Sequence, residues 1–285
     1  MKQIKDIWNK AMRKNVNIVV VPMCSKRQPE ENFEYLTMQL DRLSISEPTL
    51  ICLPEAWLAF CRDGQESHEV SKQAKHWVSE LSSLCQAKQV WIAAGTMPID
   101  SGTGRYFAAS CLFNAQGELV TTYNKIHLFD ADVADSSKHY RESEFTQAGS
   151  EIQVVDSPFG RLGLSVCYDV RFPGLYQMQR ELGADIILVP SAFTTVTGRA
   201  HWLPLLQARA IENQCFVIAA AQVGKHENGR ETYGHSVIIS PWGEVLENSE
   251  LSLQPIQRRI DLNEIDKIRA AMPVSMHNRF KSNYL

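Results

Sequence analysis

The chain has 285 residues, of which 44% are hydrophobic and 21% charged, and this composition is that of an ordinary globular protein. It excludes a disordered tail protein, a collagen-like chain and a coiled coil. Lysine and arginine number 29 against 32 aspartates and glutamates, which leaves a net charge of −3. Because positive charge is neither in excess nor gathered in a run, we expect no nucleic-acid or membrane partner.

Residues 1–15 form a predicted N-terminal extension. Ile4, Ile7 and Trp8 fall on one helical face beside several lysines. An organellar presequence has a similar pattern, but Asp6 and the lack of serine favour an additional surface helix. Later apolar runs are only a few residues long, whereas about 20 are needed to cross a bilayer. The sequence therefore predicts no membrane-spanning helix.

Short β-branched runs alternate with amphipathic stretches along the rest of the chain, which predicts strands alternating with helices. The segments 114–117 and 241–243 have the composition of hairpin turns, and hairpins require antiparallel pairing. We therefore expect mixed sheets with helices outside, in one domain over residues 16–285. The polar segment 130–149 is predicted to be a long loop. The predicted strands cover residues 17–21, 49–53, 90–95, 106–113, 118–123, 152–155, 162–166, 186–190, 216–221, 236–239 and 244–246, and the predicted helices cover 29–43, 71–87, 173–182, 201–213 and 261–271.

Seven cysteines are spread widely along the chain, and none belongs to a Cys-x-x-Cys pair. An odd number at wide spacing argues against a disulfide framework and against a cysteine-rich zinc site. We expect a reducing compartment, by default the cytoplasm, in which most of these thiols act as small buried hydrophobic groups. The question that remains is whether one of the seven is a nucleophile.

Three reactive side chains directly follow predicted strands. Glu55 follows the strand at 49–53, Lys125 follows the strand at 118–123, and Cys167 comes directly after the strand at 162–166. A cysteine at a strand-to-helix turn is similar to the elbow that exposes the serine of some hydrolases. Proximity to a helix N-terminus and a lysine predicts a lowered pKa for this thiol. Each residue alone also fits an ordinary structural role: a loop glutamate, a solvated lysine and a buried, inert cysteine.

These residues belong to three motifs: Leu-Pro-Glu at 53–55, Asn-Lys-Ile-His-Leu at 124–128 and Cys-Tyr-Asp-Val-Arg-Phe-Pro at 167–173. Taken in this order, the motifs resemble those of the nitrilase, or carbon–nitrogen hydrolase, superfamily. The resemblance covers about residues 16–285. The Cys-Tyr-Asp triplet is typical of the Nit-type amidase branch, whereas true nitrilases usually carry Cys-Trp-Glu. Further segments that match the family lie at 190–193, 197–202, 209–215 and 233–236.

The resemblance implies an α/β fold of four layers, an αββα sandwich whose two mixed sheets are flanked by helices, and a homodimer. It implies a hydrolase that cleaves the amide C–N bond of a small carboxylate-bearing substrate with water, without a metal or an organic cofactor. The motifs are most similar to those of deaminated glutathione amidases. The alternatives are an ω-amidase acting on α-keto acid amides such as α-ketoglutaramate, a catalytically silent interaction module, and a Cys–His hydrolase that uses His127 or His235.

The same resemblance implies the catalytic roles. Cys167 is the nucleophile, and Glu55 acts alternately as base and acid. The Lys125 ammonium and the backbone N–H of Tyr168 hold the oxyanion. Glu142 supports Lys125 in this scheme.

The remaining assignments concern the second glutamate and the substrate. Glu144 is the alternative to the supporting glutamate at position 142. Arg171 is either a bidentate donor for a substrate carboxylate or part of a structural ion pair. Phe193 and Thr197 are expected to face the acyl group.

Overall fold

A computed structural model describes residues 15–135 and 139–283 of the chain. The predicted helix within residues 1–15 lies almost entirely outside the described residues, and the division into an extension and one domain stays a prediction. Within the described ranges, no helix is both long enough and apolar enough to cross a membrane.

Six strands form the first large sheet, in the spatial order β16-β1-β2-β3-β4-β5. Strands β1, β2 and β3 are parallel, and the remaining neighbours pair antiparallel. This is the mixed pairing that the predicted hairpins require. The strands are β1 (Asn15–Val20), β2 (Thr49–Cys52), β3 (Trp91–Asp100), β4 (Tyr106–Phe113), β5 (Leu119–Asn124) and β16 (Ile256–Asp261).

The second large sheet also has six strands, in the order β15-β14-β11-β10-β9-β8. Its central strands β9, β10 and β11 are parallel, with antiparallel strands at both edges. Its strands are β8 (Val154–Ser157), β9 (Gly160–Leu164), β10 (Ile186–Leu188), β11 (Phe216–Ala219), β14 (Val237–Ile239) and β15 (Val245–Asn248). Two small hairpins pair β6 (Asp130–Asp132) with β7 (His139–Arg141) and β12 (Val223–Lys225) with β13 (Glu231–Tyr233).

Four of the seven described helices cover the outer faces of the two large sheets. The longest of them is α5 (Thr195–Asn213). The Thr194 side chain caps its N-terminus by accepting a hydrogen bond from the Thr197 N–H at 3.3 Å. The helices are α1 (Pro29–Arg42), α2 (Gly64–Ser71), α3 (Ala74–Lys88), α4 (Pro173–Glu181), α5 (Thr195–Asn213), α6 (Asn263–Ala271) and α7 (Val274–His277).

Three buried apolar clusters show how these layers stack. Successive side chains of a strand point to opposite faces, so each sheet has two faces to cover. Ile18 and Leu50 of the first sheet share a buried cluster with Leu162 and Ile186 of the second, so the two sheets face each other. Helices α1 and α3 cover the other face of the first sheet, and α4 and α5 cover that of the second. The predicted αββα sandwich is confirmed.

The largest local departure from the sequence prediction is the segment 130–149. It was predicted to be a loop, but it contains β6, β7 and a 3-10 helix over Glu142–Glu144. These elements have three residues each, too few to show a hydrophobic period. The predicted helix at 71–87 corresponds to α3, the preceding helix α2 was not predicted, and the helix predicted from residue 201 begins at Thr195. Strand β16 was missed because its run Ile-Gln-Arg-Arg-Ile-Asp is largely polar.

Candidate active site

A cavity of about 520 Å³ lies where the chain leaves β2, β9 and β10. This volume is in the range of pockets that hold small-molecule substrates. All eight site residues predicted from the sequence line it. They are Glu55, Lys125, Glu142, Cys167, Tyr168, Arg171, Phe193 and Thr197.

Hydrogen bonds hold both the backbone and the carboxylate of Glu55 in place beside the cavity. Its backbone carbonyl accepts a hydrogen bond of 3.0 Å from the side chain of Gln222. Its Oε2 accepts from the Ala192 N–H at 2.8 Å. The turn that carries it fits only because residue 95 is glycine: a Cβ on Gly95 would lie 1.8 Å from the carbonyl oxygen of Pro54. The carboxylate is therefore fixed by contacts with both sheets.

Lys125 joins two carboxylates. Its Nζ donates to Glu55 Oε1 at 2.8 Å and to both carboxylate oxygens of Glu142, at 2.8 and 3.0 Å. Glu142 Oε2 also accepts from the Phe129 N–H at 2.6 Å. The structure thus places Glu142 at the lysine, and Glu144 makes no ion pair with Lys125 within the described ranges.

Burial and mutual attraction together determine the pKa values of Lys125 and Glu142. Burial alone lowers the pKa of Lys125, but the charges of Glu142 and Glu55 outweigh it and raise that pKa well above its usual range. Burial and the charge of Glu55 raise the pKa of Glu142, while Lys125 opposes them. The lysine therefore stays an ammonium at neutral pH, although its side chain is only 2% exposed.

Cys167 sits on a strained elbow between β9 and the 3-10 helix over Cys167–Arg171. Its φ is +47°, in the left-handed region that side chains other than glycine rarely adopt. Its N–H donates to the Pro190 carbonyl at 2.9 Å. Backbone strain of this kind is often found at functional sites.

Asp169 fastens this elbow from within the core. Its carboxylate is fully buried and accepts from the Tyr123 hydroxyl at 2.7 Å, the Val166 N–H at 2.8 Å and the His127 N–H at 3.1 Å. It acts as a clamp between the strand that ends before Cys167 and the segment that follows Lys125. Sequence analysis missed this role because nothing in the motif separates a clamp from a surface aspartate.

The resting form of the Cys167 side chain is the neutral thiol. Burial and the facing Glu55 carboxylate raise its pKa well above the usual range, and the attraction of Lys125 only partly offsets them. The expectation of a lowered pKa was therefore wrong, because it counted the lysine and the helix end but not the desolvation and the glutamate. A neutral thiol needs a base beside it, and Glu55 occupies that place.

The backbone N–H of Tyr168 is a donor without an acceptor in the described part of the chain. Its neighbours at 167 and 169 do bond, to the carbonyls of Pro190 and Val166. A free N–H next to the nucleophile, with the Lys125 ammonium nearby, is the arrangement that stabilises an oxyanion. The ring of Tyr168 packs against Phe129 at 5.0 Å and Phe172 at 5.3 Å.

The other predicted binding residues form the wall beyond Cys167. The Arg171 guanidinium lies 5.3 Å from the centre of the Phe193 ring and 5.8 Å from that of Tyr168, and it makes no ion pair with a carboxylate among the described residues. The structural ion pair weighed for it is therefore not seen. Thr197 lines the cavity from the first turn of α5, where its hydroxyl lies 2.9 Å from that of Thr194.

The histidines weighed for a Cys–His mechanism are engaged elsewhere. The ring of His127 lies 2.7 Å from Asp169 and stacks on Phe172. The ring of His235 stacks on Tyr233. Neither of these two histidines lines the cavity. In the described ranges, no group of three or more histidine, cysteine, aspartate or glutamate side chains is arranged to hold a metal ion.

Sequence reasoning missed a second wall of the cavity. It is built by Phe60, Tyr140 and Arg230, which come from three segments far apart in the chain. The Arg230 guanidinium lies 5.0 Å from the centres of both rings. No local motif marks these residues, since only the tertiary fold brings them together.

The family profile described as carbon–nitrogen hydrolase matches residues 20–270. The chain belongs to the carbon–nitrogen hydrolase family. Proteins named deaminated glutathione amidase resemble this hydrolase over nearly its whole length. The one from Yersinia enterocolitica is 41% identical over 273 residues, with 95% of both chains covered. The one from Dictyostelium discoideum is 38% identical over 283 residues, with 96% of this chain and 97% of the relative covered.

Solved structures show the same fold. The crystal structure of the Caenorhabditis elegans NitFhit protein superposes on this hydrolase with a TM-score of 0.86 at 36% identity, covering 93% of this chain and 65% of that one. Saccharomyces cerevisiae Nit3, described as a member of branch 10 of the nitrilase superfamily, superposes with a TM-score of 0.83 at 26% identity. That comparison covers 94% of this chain and 97% of Nit3. The resemblance drawn from the motifs is thereby confirmed.

Proposed function

We propose that this carbon–nitrogen hydrolase is an amidase that cleaves deaminated glutathione through a cysteine thioester. The observation that carries the proposal is the meeting of Glu55, Lys125 and Cys167 in one cavity. The substrate is supported by the relatives of that name, which match over almost the full chain. Deaminated glutathione carries a keto group in place of the amino group of glutathione. Hydrolysis of the amide beside its cysteine releases α-ketoglutarate and cysteinylglycine.

In the acylation step, Glu55 takes the thiol proton as the Cys167 sulfur attacks the amide carbonyl carbon. The carbonyl oxygen becomes an oxyanion held by the Lys125 ammonium and the Tyr168 N–H. The C–N bond then breaks, and the leaving nitrogen takes the proton from Glu55. The products of this step are a thioester on Cys167, a free amine and an ionised Glu55.

Deacylation repeats the same exchange with water. Glu55 takes a proton from the water, whose oxygen attacks the thioester carbonyl. The C–S bond breaks, and the sulfur of Cys167 recovers a proton from Glu55. One water is consumed, one acid and one amine are released, and the chain returns to its starting protonation state. No step requires a group beyond these side chains and water.

Arg171 is the proposed partner of the substrate carboxylate next to the keto group. It has no carboxylate of its own within the described ranges and lies over the Tyr168 and Phe193 rings, close to the nucleophile. Its Nη1 also lies 3.3 Å from the His201 Nδ1, so one nitrogen of the guanidinium is already in contact with an imidazole. A planar guanidinium without a carboxylate partner is suited to a bidentate contact with a carboxylate. This contact fits deaminated glutathione and ω-amides of α-keto acids alike, because both carry that carboxylate.

We also propose a cytoplasmic homodimer. Ile211 on α5 and Trp242 in the turn before β15 are 52% and 65% exposed, and the Gln207 side chain ties the two segments together by donating to the Gly243 carbonyl at 2.8 Å. Exposed large apolar groups in one place are typical of association surfaces. The family resemblance implies dimer contacts through the helix after Phe172 and through that around residues 201–213, and Ile211 lies on the second of these helices.

The function is tested by following α-ketoglutarate release from deaminated glutathione and from α-ketoglutaramate. Cys167→Ala is expected to lower kcat by about 10⁴-fold or more, because the nucleophile is lost. Cys61→Ala is the matched control, since Cys61 also lines the cavity but is not in the triad. Full turnover by the Cys167 variant contradicts the mechanism. A kcat/KM that favours α-ketoglutaramate makes the protein an ω-amidase instead.

A further inference from the structure

Four arginines line the cavity, and they differ in how their charge is balanced. Two are paired with neighbouring carboxylates. The other two, Arg171 and Arg230, make no ion pair with a carboxylate in the described part of the chain. Two guanidinium groups without a carboxylate partner in one substrate cavity indicate a ligand that brings two anionic groups. The paired arginines are Arg62, with Asp63 at 2.9 Å, and Arg141, with Asp132 at 3.0 Å.

Arg230 is held in place by aromatic rings rather than by hydrogen bonds. Its guanidinium carbon lies 5.0 Å from the centres of the Phe60 and Tyr140 rings. Phe60 is itself stacked on His226, with ring centres 3.7 Å apart. Such contacts favour a cation over the ring faces and fix its plane.

The donors of this guanidinium lack acceptors. Arg230 Nε is buried without a hydrogen-bond partner, and its other side-chain nitrogens donate to no described residue. A buried donor left unsatisfied costs about 1–3 kcal/mol, and more in a charged group. An anionic ligand in the cavity would supply acceptors for these donors.

The two arginines without a carboxylate partner contact different aromatic rings of the cavity wall. Arg171 is four residues after Cys167 and touches the rings that flank it. Arg230 is reached from Tyr168 through two further rings: Tyr168 packs on Phe129 at 5.0 Å, and Phe129 packs on Tyr140, also at 5.0 Å. Arg171 therefore lies against a ring next to the nucleophile, whereas Arg230 lies on the wall built by Phe60 and Tyr140.

We propose that Arg230 binds the terminal carboxylate of the leaving half of the substrate, the glycine carboxylate of cysteinylglycine. This rests on the proposed function. Deaminated glutathione has a carboxylate at each end, and an extended dipeptide carries its terminal group about 7 Å beyond the scissile amide. Arg230 is then the residue that selects amides with an acidic amine half over simple ω-amides, which have only the carboxylate next to the keto group.

The test uses two substrates that differ in one group: deaminated glutathione and the same compound with its glycine carboxylate converted to an amide. The wild-type enzyme is expected to prefer the free acid by about 10- to 100-fold in kcat/KM, the range of a charge-assisted hydrogen bond. Arg230→Met is expected to bring this ratio close to one. Arg62→Met is the matched control and is expected to keep the wild-type ratio, because Arg62 lines the cavity but is paired with Asp63.

The possible outcomes distinguish a failure of the Arg230 assignment from a failure of the proposed function. If the wild-type enzyme hydrolyses both compounds equally well, Arg230 does not bind the glycine carboxylate, and the proposed amidase activity is unaffected. If Arg230→Met lowers both rates by the same factor, the residue is only a structural clamp between its two rings. If the wild-type enzyme hydrolyses neither compound, both the proposed function and this assignment are overturned.

Discussion

The second glutamate of the site provides the sharpest test of the mechanism. When Glu55 takes the thiol proton it becomes neutral, and from then on Glu142 is the remaining anionic partner of Lys125 apart from the new oxyanion. Glu142→Gln removes this charge while keeping the shape of the side chain. Lys125 still has Glu55 in the resting enzyme, so the fold is expected to persist. The defect is expected in the transition state, where the lysine loses its fixed position.

The magnitude follows from the hydrogen bonds that are lost or weakened. Glu142 accepts from Lys125 at 2.8 and 3.0 Å, and hydrogen bonds to charged groups contribute about 1.5–3 kcal/mol each. The loss of one such bond in the transition state corresponds to a fall in kcat of about 10- to 100-fold. KM is expected to change little, because the interaction matters most after the thiol proton has moved.

The same substitution shifts the pH dependence in a defined direction. Glu142 is one of the charges that hold the pKa of Lys125 well above its usual range, and burial pulls it down. Without Glu142 the pKa of Lys125 falls, so the ammonium is lost at a lower pH than in the wild type. The alkaline limb of kcat/KM is therefore expected to move to lower pH.

The assay is α-ketoglutarate release across a pH series for wild type, Glu142→Gln and the control Glu144→Gln. Glu144 lies in the same 3-10 helix and lines the same cavity, but it makes no ion pair with Lys125. The reasoning is refuted if Glu142→Gln keeps the wild-type kcat and alkaline limb. It is also refuted if the control loses as much activity as the test variant.

Two further predictions concern the elbow and the assembly. Asp169→Asn places an amide against the donors of Tyr123 and Val166, so we expect a loss of about 1–3 kcal/mol in the free energy of unfolding, measured in urea, together with a lower kcat. An unchanged urea midpoint would contradict the role of this residue as a clamp. Trp242→Glu is expected to convert the proposed dimer to a monomer by light scattering, because a charge at the exposed indole resists burial. Leu119→Glu, on the edge strand β5, is the control, and an unaffected dimer in the Trp242 variant rules out this surface.

Most of the candidate site was predictable because it is built from local motifs. Glu55, Lys125 and Cys167 each follow a strand, which made them candidates. Their roles were assigned by the resemblance of the three motifs, taken in order, to the carbon–nitrogen hydrolase family. The layers were predictable for the same reason, since alternating strands and helices with hairpins specify mixed sheets covered by helices. Glu142 came from resemblance alone, and the structure places it at Lys125.

What could not be predicted depends on groups that only the tertiary fold brings together. The raised pKa of Cys167 depends on burial and on Glu55, which is more than a hundred residues earlier in the chain. The contact of Arg230 with Phe60 and Tyr140 joins three distant segments, and no single one of them carries a signal. Such features arise only in the folded protein, because desolvation and long-range contacts leave no periodic pattern in the sequence.

The two glutamates and one lysine of the site also affect how the pocket empties. With Lys125 protonated and both glutamates ionised, this cluster has a net charge of −1 when a neutral amide group enters it. Hydrolysis turns that amide into a carboxylic acid at the same place, and once the acid loses its proton to solvent a second negative charge lies beside the first. Like charges at close range repel strongly in a partly desolvated pocket. In the proposed mechanism, we therefore expect charge repulsion to favour release of the newly formed acid.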